Sequence, residues 1–390
     1  MKEAIIPYGR QYVDKEDIKS VCKVLNSRFL TSGPKVFFFE KLINKYCQSK
    51  FAVCANSATS ALHIACLALG VKKGDYVWTS PISFVASANC AVYCGANVDF
   101  LDIDLDTFNL SSKKLEEKLK RTKKSKLPKV VIPVHMGGLS CDMKAINILA
   151  KKYKFKILED ASHALGGTYN QKKIGSCEYS DIAVFSFHPV KTITSAEGGV
   201  AVTNNKHLAE KMRSFREHGI EKNPLKFQGH SDGPWFYQQK EIGYNYRLSD
   251  LHAALGISQL KKINKFTKKR NLIAKYYISN LKNLPILFQR KIKNIFSSYH
   301  LFIILVSANY HLKLFNFLRA NKIIVNLHYI PIYLHPFFRK KYNYRVFPNS
   351  NSYYSKAISL PIFYQMTKKQ QNYVIKKIKL FYKKNNGKEF

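Results

Sequence analysis

Short apolar runs of strand length alternate with helical patterns through the first 250 residues of the chain. Strands that alternate with helices along a chain pair in a parallel sheet that helices cover on both faces. The pattern therefore predicts an α/β domain with a mostly parallel sheet. One helix is predicted to begin after Asp14, and another to begin at Ser57 and stop at Gly70. The runs predicted as buried strands are residues 51–55, 76–79, 98–101, 130–134, 155–158, 182–187 and 200–203.

The pattern changes near residue 250. Beyond a helix that opens there, the chain continues as Lys- and Asn-rich helices with short β-rich runs such as 301–306. A chain of 390 residues is long enough for one large and one smaller domain. We predict a large domain over residues 1–255 and a smaller α+β domain over residues 256–390.

The net charge of +39 is the most unusual feature of the composition. Such a balance is typical of proteins that bind nucleic acid, an acidic membrane or an anionic ligand. The basic residues are mostly Lys and are spread along the chain, with the densest cluster at 113–129, and no RNA-recognition signature, zinc finger or basic heptad region is present. We expect solvated lysines and no nucleic-acid partner, with a positive field that helps to capture an anionic substrate. A basic nucleic-acid-binding protein is the alternative from another class.

The eight cysteines form no Cys-x-x-Cys pair, and several lie in apolar runs. This usage favours a reduced, cytoplasmic chain without disulfide bonds. The N-terminal residues lack the apolar core of a signal peptide, and no apolar run approaches the roughly 18 residues of a membrane span. We expect no membrane partner, and the histidines lie in no cluster that indicates a metal.

Two of the predicted strands end in residues of opposite charge. The run at 155–158 leads into Glu159 and Asp160, and the run at 182–187 leads through His188 to Lys191. A lysine amine can bond covalently to pyridoxal phosphate (PLP), and a carboxylate can keep the pyridine nitrogen of that cofactor protonated. Taken singly, such a lysine is usually solvated and such an aspartate is usually a helix cap. Together they predict a PLP site.

Three further features suit a planar, phosphorylated cofactor. The small polar turn before the helix at Ser57 offers free N–H groups and a helix dipole to a phosphate, although ordinary capping would use the same residue. Phe84 follows a strand, where its ring could stack on a cofactor or simply join the core. Gly198 and Gly199 would let the backbone approach the cofactor closely.

The motifs at 159–166, 186–191 and 243–250, in this order, resemble the DegT/DnrJ/EryC1/StrS family of sugar-nucleotide aminotransferases. The resemblance runs from Tyr8 to beyond Gln259 and continues more weakly to about Pro361. It implies PLP-dependent aminotransferase fold type I, in which an N-terminal arm and a large domain with a mostly parallel seven-stranded sheet precede a smaller C-terminal α+β domain. It also implies a homodimer with shared active sites.

The resemblance assigns roles to individual residues. Lys191 matches the lysine that bonds to PLP, Asp160 matches the partner of the pyridine nitrogen, and Asn245 matches a residue that reaches the phosphate in the other subunit. His163 is expected to orient Asp160 or to touch the ring oxygen of the cofactor, as a third catalytic residue. The residues expected to hold PLP are Ser57, Ala58, Thr59, Phe84, Asp160, Ser186, Lys191 and Asn245.

One branch of the family fits best. Its members aminate C4 of a UDP-4-keto-6-deoxy-N-acetylhexosamine in pseudaminic acid biosynthesis, and L-glutamate is the expected amino donor. The alternative within the family is another keto sugar nucleotide, of the perosamine or bacillosamine type. A related group of sugar dehydratases has histidine at the position of Lys191, so the lysine favours transamination. The residues expected to line the substrate site are Tyr8, Arg28, Phe29, Leu30, Thr31, His188, His328, Tyr329, Ile330 and Pro331.

Overall fold

A computed structural model describes residues 5–339 and 346–385 of the chain. The strands in chain order are β1 Phe51–Ala55, β2 Tyr76–Thr79, β3 Asn97–Phe100, β4 Val130–Ile132, β5 Lys156–Asp160, β6 Thr168–Tyr169, β7 Lys172–Lys173, β8 Ile182–Ser186, β9 Gly199–Thr203, β10 Ile220–Glu221, β11 Gln238–Gln239, β12 Leu287–Phe288, β13 Ile295–Phe296, β14 Phe302–Leu305 and β15 Ala357–Leu360. The helices are α1 Lys15–Leu25, α2 Pro34–Cys47, α3 Ala58–Ala68, α4 Ala86–Tyr93, α5 Ser112–Arg121, α6 Met143–Tyr153, α7 Lys206–Arg216, α8 Asp250–Leu260, α9 Ile263–Leu281, α10 Ala308–Ala320, α11 Pro336–Arg339, α12 Pro348–Tyr354 and α13 Lys368–Asn385.

A seven-stranded sheet with the order β1-β9-β8-β5-β4-β2-β3 forms the centre of the large domain. Strand β9 runs antiparallel to both of its neighbours, β1 and β8. The other neighbouring strands pair in parallel. The predicted α/β class with a mostly parallel seven-stranded sheet is therefore confirmed.

Alternate residues of the central strands face opposite helical layers. In β8, Ile182 and Val184 pack into the core under α3, α4 and α7, whereas Ala183 and Phe185 pack into the core under α2 and α8. Because successive side chains of a strand point to opposite faces, a strand buried on both faces needs a continuous apolar run. This explains why the sequence runs were uniformly apolar rather than alternating.

The strand bounds follow the predictions with small shifts. Strands β1 and β2 have the predicted bounds, whereas the run at 130–134 is paired as a strand only over Val130–Ile132. Pro133 comes next and has no N–H to donate, and Val134 makes only an isolated bridge to Asp160. The carbonyl of Pro133 still accepts from the N–H of Asp160 at 2.9 Å, which draws β5 two residues beyond its predicted end.

The predicted helix ends are also present. Asp14 caps α1 and forms a capping box with Asp17. The Ser57 side chain accepts from the N–H of Ser60 at the start of α3, and Gly70 follows that helix with a φ of 77°. A left-handed backbone just beyond a helix favours glycine, which has no Cβ to clash.

The C-terminal part of the chain adds a second, smaller sheet. Strand β14 pairs antiparallel with both β12 and β15, and a core shared with α9, α10 and α13 covers this sheet. Helix α8 runs through residues 255 and 256, where the sequence places the domain boundary. The division at that point remains a prediction. Among the helices of the described residues, none combines the length and the apolar character needed to cross a membrane.

A buried ion pair ties three elements of the large domain together. Glu40 of α2 is 5% exposed, and its Oε1 accepts from Arg216 Nη1 of α7 and from the N–H of Cys54 in β1, each at 2.8 Å. Arg216 also donates to the Cys54 carbonyl at 3.0 Å. Removal of Glu40 would leave the largely buried Arg216 with the more exposed Glu217, whose Oε1 accepts from Arg216 Nη2 at 2.9 Å, as its charged partner.

Replacement Glu40→Ala should therefore destabilise the protein by about 3 kcal/mol. The matched control is Glu116→Ala, which breaks the solvated Lys120–Glu116 pair of α5 and should leave the midpoint of unfolding nearly unchanged. The measurement is the midpoint of urea unfolding for each variant. Equal midpoints for the two variants would contradict the structural role assigned to Glu40.

Candidate active site

The strand register brings the sequence-predicted residues to one edge of the sheet. Asp160 of β5 lies opposite Val184 of β8, Ser186 lies opposite Gly199 of β9, and Gly199 lies opposite Ala55 of β1. The turn into α3 follows Ala55 directly. Sites in open α/β sheets form outside the carboxyl ends of the parallel strands. The carboxyl ends of β1, β5 and β8 meet here in the same way.

A cavity of about 400 Å³ opens at this edge. It brings together residues of the large domain and a segment of the C-terminal part that begins near Asn326. The sequence-predicted residues that line it are Tyr8, Ser57, Ala58, Thr59, Phe84, Asp160, His163, Ser186, His188, Lys191, His328 and Tyr329.

Lys191 lies inside this cavity, past the end of β8. Surrounding protein atoms desolvate its ammonium group, which lowers the pKa to about 8, while the negative charge of Asp160 opposes that shift. A neutral amine is the form that attacks a carbonyl carbon and accepts protons. Burial thus prepares Lys191 for both tasks near neutral pH.

A chain of hydroxyl groups holds the Asp160 carboxylate. Ser87 Oγ donates to Asp160 Oδ2 at 2.6 Å, and the Ser83 hydroxyl lies 2.6 Å from that of Ser87. The N–H of Ser162 donates to Asp160 Oδ1 at 3.1 Å. Asp160 is 5% exposed, and burial of a carboxylate is costly unless donors surround it. These donors fix the direction in which the carboxylate faces the cavity.

His163 is oriented by the C-terminal part of the chain. Its Nε2 lies 3.1 Å from the Tyr329 hydroxyl, and its ring centroid lies 4.6 Å from that of His300. Burial, followed by the positive charge of Lys191, lowers the pKa of His163 well below its ordinary value, so the ring is neutral. Its Nδ1 is buried and has no hydrogen-bond partner within the described ranges. That atom can therefore form a hydrogen bond to a bound group.

The cavity floor at the start of α3 depends on a glycine. A Cβ at Gly199 would lie 2.5 Å from both the N and the Cα of Ala58. Only a residue without a side chain lets β9 lie this close to the helix start. The first N–H groups of α3, at Ala58 and Thr59, have no acceptor within the helix and can bind an anion.

Tyr8 and His328 form a neighbouring pair of aromatic rings in the cavity lining. Their ring centroids are 5.4 Å apart, and His328 Nδ1 lies 2.8 Å from the Ser359 hydroxyl. Burial, followed by the positive charge of Lys191, lowers the pKa of His328 to about 3. Burial likewise raises the pKa of Tyr8. Both side chains are therefore neutral across the physiological range.

Some sequence-predicted residues lie away from this cavity within the single chain. The segment 28–31 and Asn245 do not line it, and neither do Ile330 and Pro331. Two backbone contacts join the segment 28–31 to the start of α8. Thr31 bridges Ser249, and the Leu30 carbonyl accepts from the N–H of Asp250 at 3.0 Å. Their functional roles remain predictions.

Several residues that line or support the site were missed by the sequence reasoning. Ser87 donates a hydrogen bond to Asp160. Ser87 lies in the polar stretch around Phe84, but nothing in the sequence there indicates a contact with Asp160. Glu197 was interpreted only as part of a turn. His300 lies more than 100 residues from Lys191 in the sequence, and no local motif indicates that it packs on His163.

A larger cavity of about 810 Å³ lies elsewhere, between α9 and the 289–299 segment. Its ionisable lining consists of lysines, one arginine and a tyrosine, without a carboxylate or a histidine. It therefore lacks the carboxylate that accompanies the lysine amine in the smaller cavity, and the smaller cavity is the candidate active site. The described ranges hold no group of three or more His, Cys, Asp or Glu side chains arranged for a metal ion.

The mostly parallel sheet, with a desolvated lysine and a buried aspartate at the carboxyl ends of its strands, defines a PLP-dependent aminotransferase of fold type I. The chain belongs to the DegT/DnrJ/EryC1/StrS aminotransferase family, whose model matches residues 11–379.

Named relatives are similar over nearly the whole chain. The UDP-4-amino-4,6-dideoxy-N-acetyl-beta-L-altrosamine transaminase of Campylobacter jejuni is 40% identical over 374 residues, which cover 95% of this chain and 96% of that protein. PseC of Helicobacter pylori, an aminotransferase involved in the biosynthesis of pseudoaminic acid, has a TM-score of 0.89 at 32% identity, with coverage of 97% and 100%. The PLP form of the sugar aminotransferase Spr1654 of Streptococcus pneumoniae, whose assignment is described as putative, has a TM-score of 0.89 at 27% identity and covers 97% and 99%.

PLP is the cofactor of these aminotransferases, and the cavity fits it. A buried carboxylate faces the cavity from one strand and a desolvated amine from another. The orphaned Nδ1 of His163 and the free N–H groups at the start of α3 add polar partners for a ring substituent and a phosphate. The close approach at Gly199 leaves the helix start open to such a phosphate.

The lowered pKa of Lys191 makes a prediction about stability. The unfolded lysine titrates near about 10.4, whereas the folded one titrates at about 8. Below about pH 8 Lys191 is protonated in both the folded and the unfolded state, and the folded state bears the full free-energy cost of the buried charge. Between about pH 8 and 10 only the folded state loses the proton, so this cost falls as the pH rises. Lys191→Met should therefore stabilise the cofactor-free protein near pH 7 by up to about 3 kcal/mol, and the gain should shrink toward pH 10.

Urea unfolding of the parent and the variant at about pH 7 and about pH 10 measures this difference. Lys19→Met, on the exposed part of α1, is the control and should show no pH-dependent gain. A gain for Lys191→Met that is the same at both pH values would contradict the desolvation of Lys191.

Proposed function

We propose that this sugar aminotransferase moves an amino group from L-glutamate to C4 of a UDP-4-keto-6-deoxy-N-acetylhexosamine, UDP-2-acetamido-2,6-dideoxy-beta-L-arabino-hex-4-ulose, in pseudaminic acid biosynthesis. The observation that carries the proposal is the placement of Lys191 and Asp160 in one cavity. Two relatives support the choice of sugar: one is named as the corresponding altrosamine transaminase, and the other is described as acting in pseudoaminic acid biosynthesis.

Each catalytic group has a task in this proposal. When bound, PLP supplies an electron sink that stabilises negative charge on the carbon next to the migrating amine. Lys191 would hold the cofactor, and its amine would take the proton from Cα of the amino donor and deliver a proton to C4 of the sugar. Asp160 keeps the pyridine nitrogen protonated, and Ser87 and the N–H of Ser162 keep the carboxylate directed at it.

The remaining lining residues position the ligands. The free N–H groups of Ala58 and Thr59, with the hydroxyls of Ser57 and Ser186, suit the cofactor phosphate. The Phe84 ring suits stacking on the cofactor. In this proposal His163 Nδ1 would form a hydrogen bond with the ring oxygen of the cofactor.

Neutral groups surround the place left for the sugar. Tyr8, His328 and Tyr329 line the same cavity as Lys191, and burial raises the pKa of Tyr329 above its ordinary value. They can orient a sugar by hydrogen bonds and ring contacts without adding a charge to the site. His188, which is exposed at the cavity mouth, is proposed to meet the substrate there. The net charge of +39 would favour approach of the anionic UDP group.

The predicted homodimer would explain why part of the predicted site lies elsewhere in the single chain. The segment 28–31 bridges Ser249 just before α8, Asn245 lies four residues earlier in the chain than Ser249 and bridges Glu217, and neither lines the cavity. In a dimer with two-fold symmetry, each chain would present this region to the active site of its partner. Asn245 would then reach the phosphate, and the segment 28–31 would reach the sugar nucleotide.

Turnover with defined substrates tests the activity. The PLP-loaded protein with L-glutamate and the 4-keto sugar nucleotide should release 2-oxoglutarate and the 4-amino sugar in equal amounts, with ping-pong kinetics. Lys191→Ala should lower the rate by about three orders of magnitude or more, whereas Lys173→Ala, beside the larger cavity, should not lower it. A matching 3-keto sugar nucleotide separates C3 from C4 amination. Transfer only to the 3-keto sugar would overturn the proposed substrate, and no transfer to any keto sugar would overturn the function.

Mixed dimers test the shared site. Lys191→Ala and Asn245→Ala should each be nearly inactive alone. If Asn245 serves the partner's cofactor, random mixing of the two variants during co-expression creates dimers with one intact site and restores about a quarter of the parent activity. Activity that stays at the level of the single variants would show that both residues act within one chain.

A further inference from the structure

The carboxylate of Asp250, at the first position of α8, is fully buried. Its oxygens accept from backbone N–H groups rather than from a basic side chain. Oδ2 accepts from the N–H of Gly33 at 2.8 Å, and Oδ1 accepts from the N–H of Lys35 at 2.7 Å. Helix α8 has Ser249 as its own cap, and the mechanism proposed above does not use Asp250. Its carboxylate therefore acts on the part of the chain that leads into α2.

Asp250 takes the place of a capping residue for α2. That helix begins at Pro34 and follows Gly33, which has no side chain that could accept a hydrogen bond. A helix start is stabilised by an acceptor for an N–H of its first turn and by a negative charge near the positive end of its dipole. The carboxylate that supplies both here lies 217 residues from Gly33 in the sequence. The position of the α2 start is therefore set by α8.

The same residue holds the segment 28–33, which contains the 28–31 segment expected to meet the sugar nucleotide. The N–H of Asp250 donates to the Leu30 carbonyl at 3.0 Å, and its carboxylate accepts from Gly33 three residues later. Asp250 thus bonds to the segment on both sides of the turn that precedes α2. Its contacts fix the path of the backbone between these two points.

The fit between this segment and Asp250 is close. Phe29 is 51% exposed and Leu30 is 48% exposed, so neither side chain anchors the segment in the core. A Cβ at Gly33 would clash with the Cβ of Phe29 and would lie 2.9 Å from Asp250 Oδ1. A displaced or altered carboxylate would therefore move the segment.

The two substrates differ in how much of the surroundings they need. The cavity of about 400 Å³ around Lys191 has to hold the cofactor and the reacting part of either substrate. L-glutamate is small enough to stay within it, whereas the UDP group of a sugar nucleotide extends beyond it. The segment 28–33 does not line this cavity in the single chain. Its contacts in the predicted dimer therefore concern the sugar nucleotide and not the amino donor.

We propose that Asp250 is a positioning residue for the second substrate, because its carboxylate sets the conformation in which the segment 28–33 meets the sugar nucleotide. This role rests on the proposed function, which takes a 4-keto sugar nucleotide as the acceptor and the segment 28–31 as part of its site. Loss of the carboxylate should impair the half-reaction with the sugar and spare the half-reaction with L-glutamate. A merely structural role would impair both half-reactions alike.

Stopped-flow absorbance of the cofactor measures the two half-reactions separately. The PLP-loaded protein is mixed with L-glutamate alone, and the pyridoxamine phosphate form is mixed with the 4-keto sugar nucleotide alone. Asp250→Asn keeps the size of the side chain but loses its charge and one acceptor oxygen. We expect the sugar concentration that gives half the maximal rate to rise about tenfold, and the rate with L-glutamate to change by less than about twofold. The matched control Asp142→Asn, which alters the carboxylate cap of α6, should leave both half-reactions unchanged.

Gly33→Ala perturbs the same contact from the other side and should give the same separation between the half-reactions. It serves in place of Asp250→Asn if that variant does not fold. Equal losses in both half-reactions, no change in either, or failure of both variants to fold would overturn the role of Asp250 in positioning. No transfer from the parent protein to the 4-keto sugar would instead overturn the proposed function, and the role of Asp250 toward that substrate with it.

Hydrogen exchange of the cofactor-free protein, followed by mass spectrometry, tests the contact without turnover. A peptide that contains Gly33 and Lys35 should exchange faster in Asp250→Asn than in the parent, because one of the two N–H groups loses its acceptor. A peptide from the middle of α6 should exchange at the parent rate. Equal exchange of the first peptide in variant and parent would overturn the proposal, whatever the outcome of the turnover measurements.

Discussion

The pairing of β5 with β4 and β8 is the constraint on which the active site depends. The N–H of Asp160 donates to the Pro133 carbonyl at 2.9 Å, and the N–H of Ala161 donates to the Val184 carbonyl at 2.9 Å. These two bonds hold the residue with the functional carboxylate between its neighbouring strands at the point where the sheet ends. A shift of one residue would turn every side chain of β5 to the other face and would bury Asp160 in an apolar core. The rest of the site is built around this fixed position.

The site balances one buried positive charge against one buried negative charge. Asp160 is surrounded by hydroxyl and N–H donors, and its charge limits the fall in the pKa of Lys191. His163 and His328 are kept neutral because burial and the nearby amine both oppose protonation. A neutral lining leaves the field of the lysine and the aspartate undisturbed at the place where a cofactor and a sugar would lie.

The C-terminal part of the chain completes this arrangement from the other side. Arg270 of α9 is 2% exposed and donates to the carbonyls of Tyr299, His300 and Ile362. Burial lowers its pKa to about 10, and it remains charged at neutral pH. A buried cation with three carbonyl partners holds the backbone that presents His300 to His163. A residue of the smaller sheet domain thus acts on the active site without touching the cavity.

The sequence by itself determined the α/β class, because uniformly apolar runs between helical patterns fit only strands that are covered on both faces. It also singled out Lys191 and Asp160, since each follows a strand end within a few residues. Only the tertiary structure decided that Ser87 would bind Asp160 and that His300 and Tyr329 would orient His163. These contacts join residues that are 73, 137 and 166 positions apart. They depend on how strands and domains pack together, and local spacing contains no information on that packing.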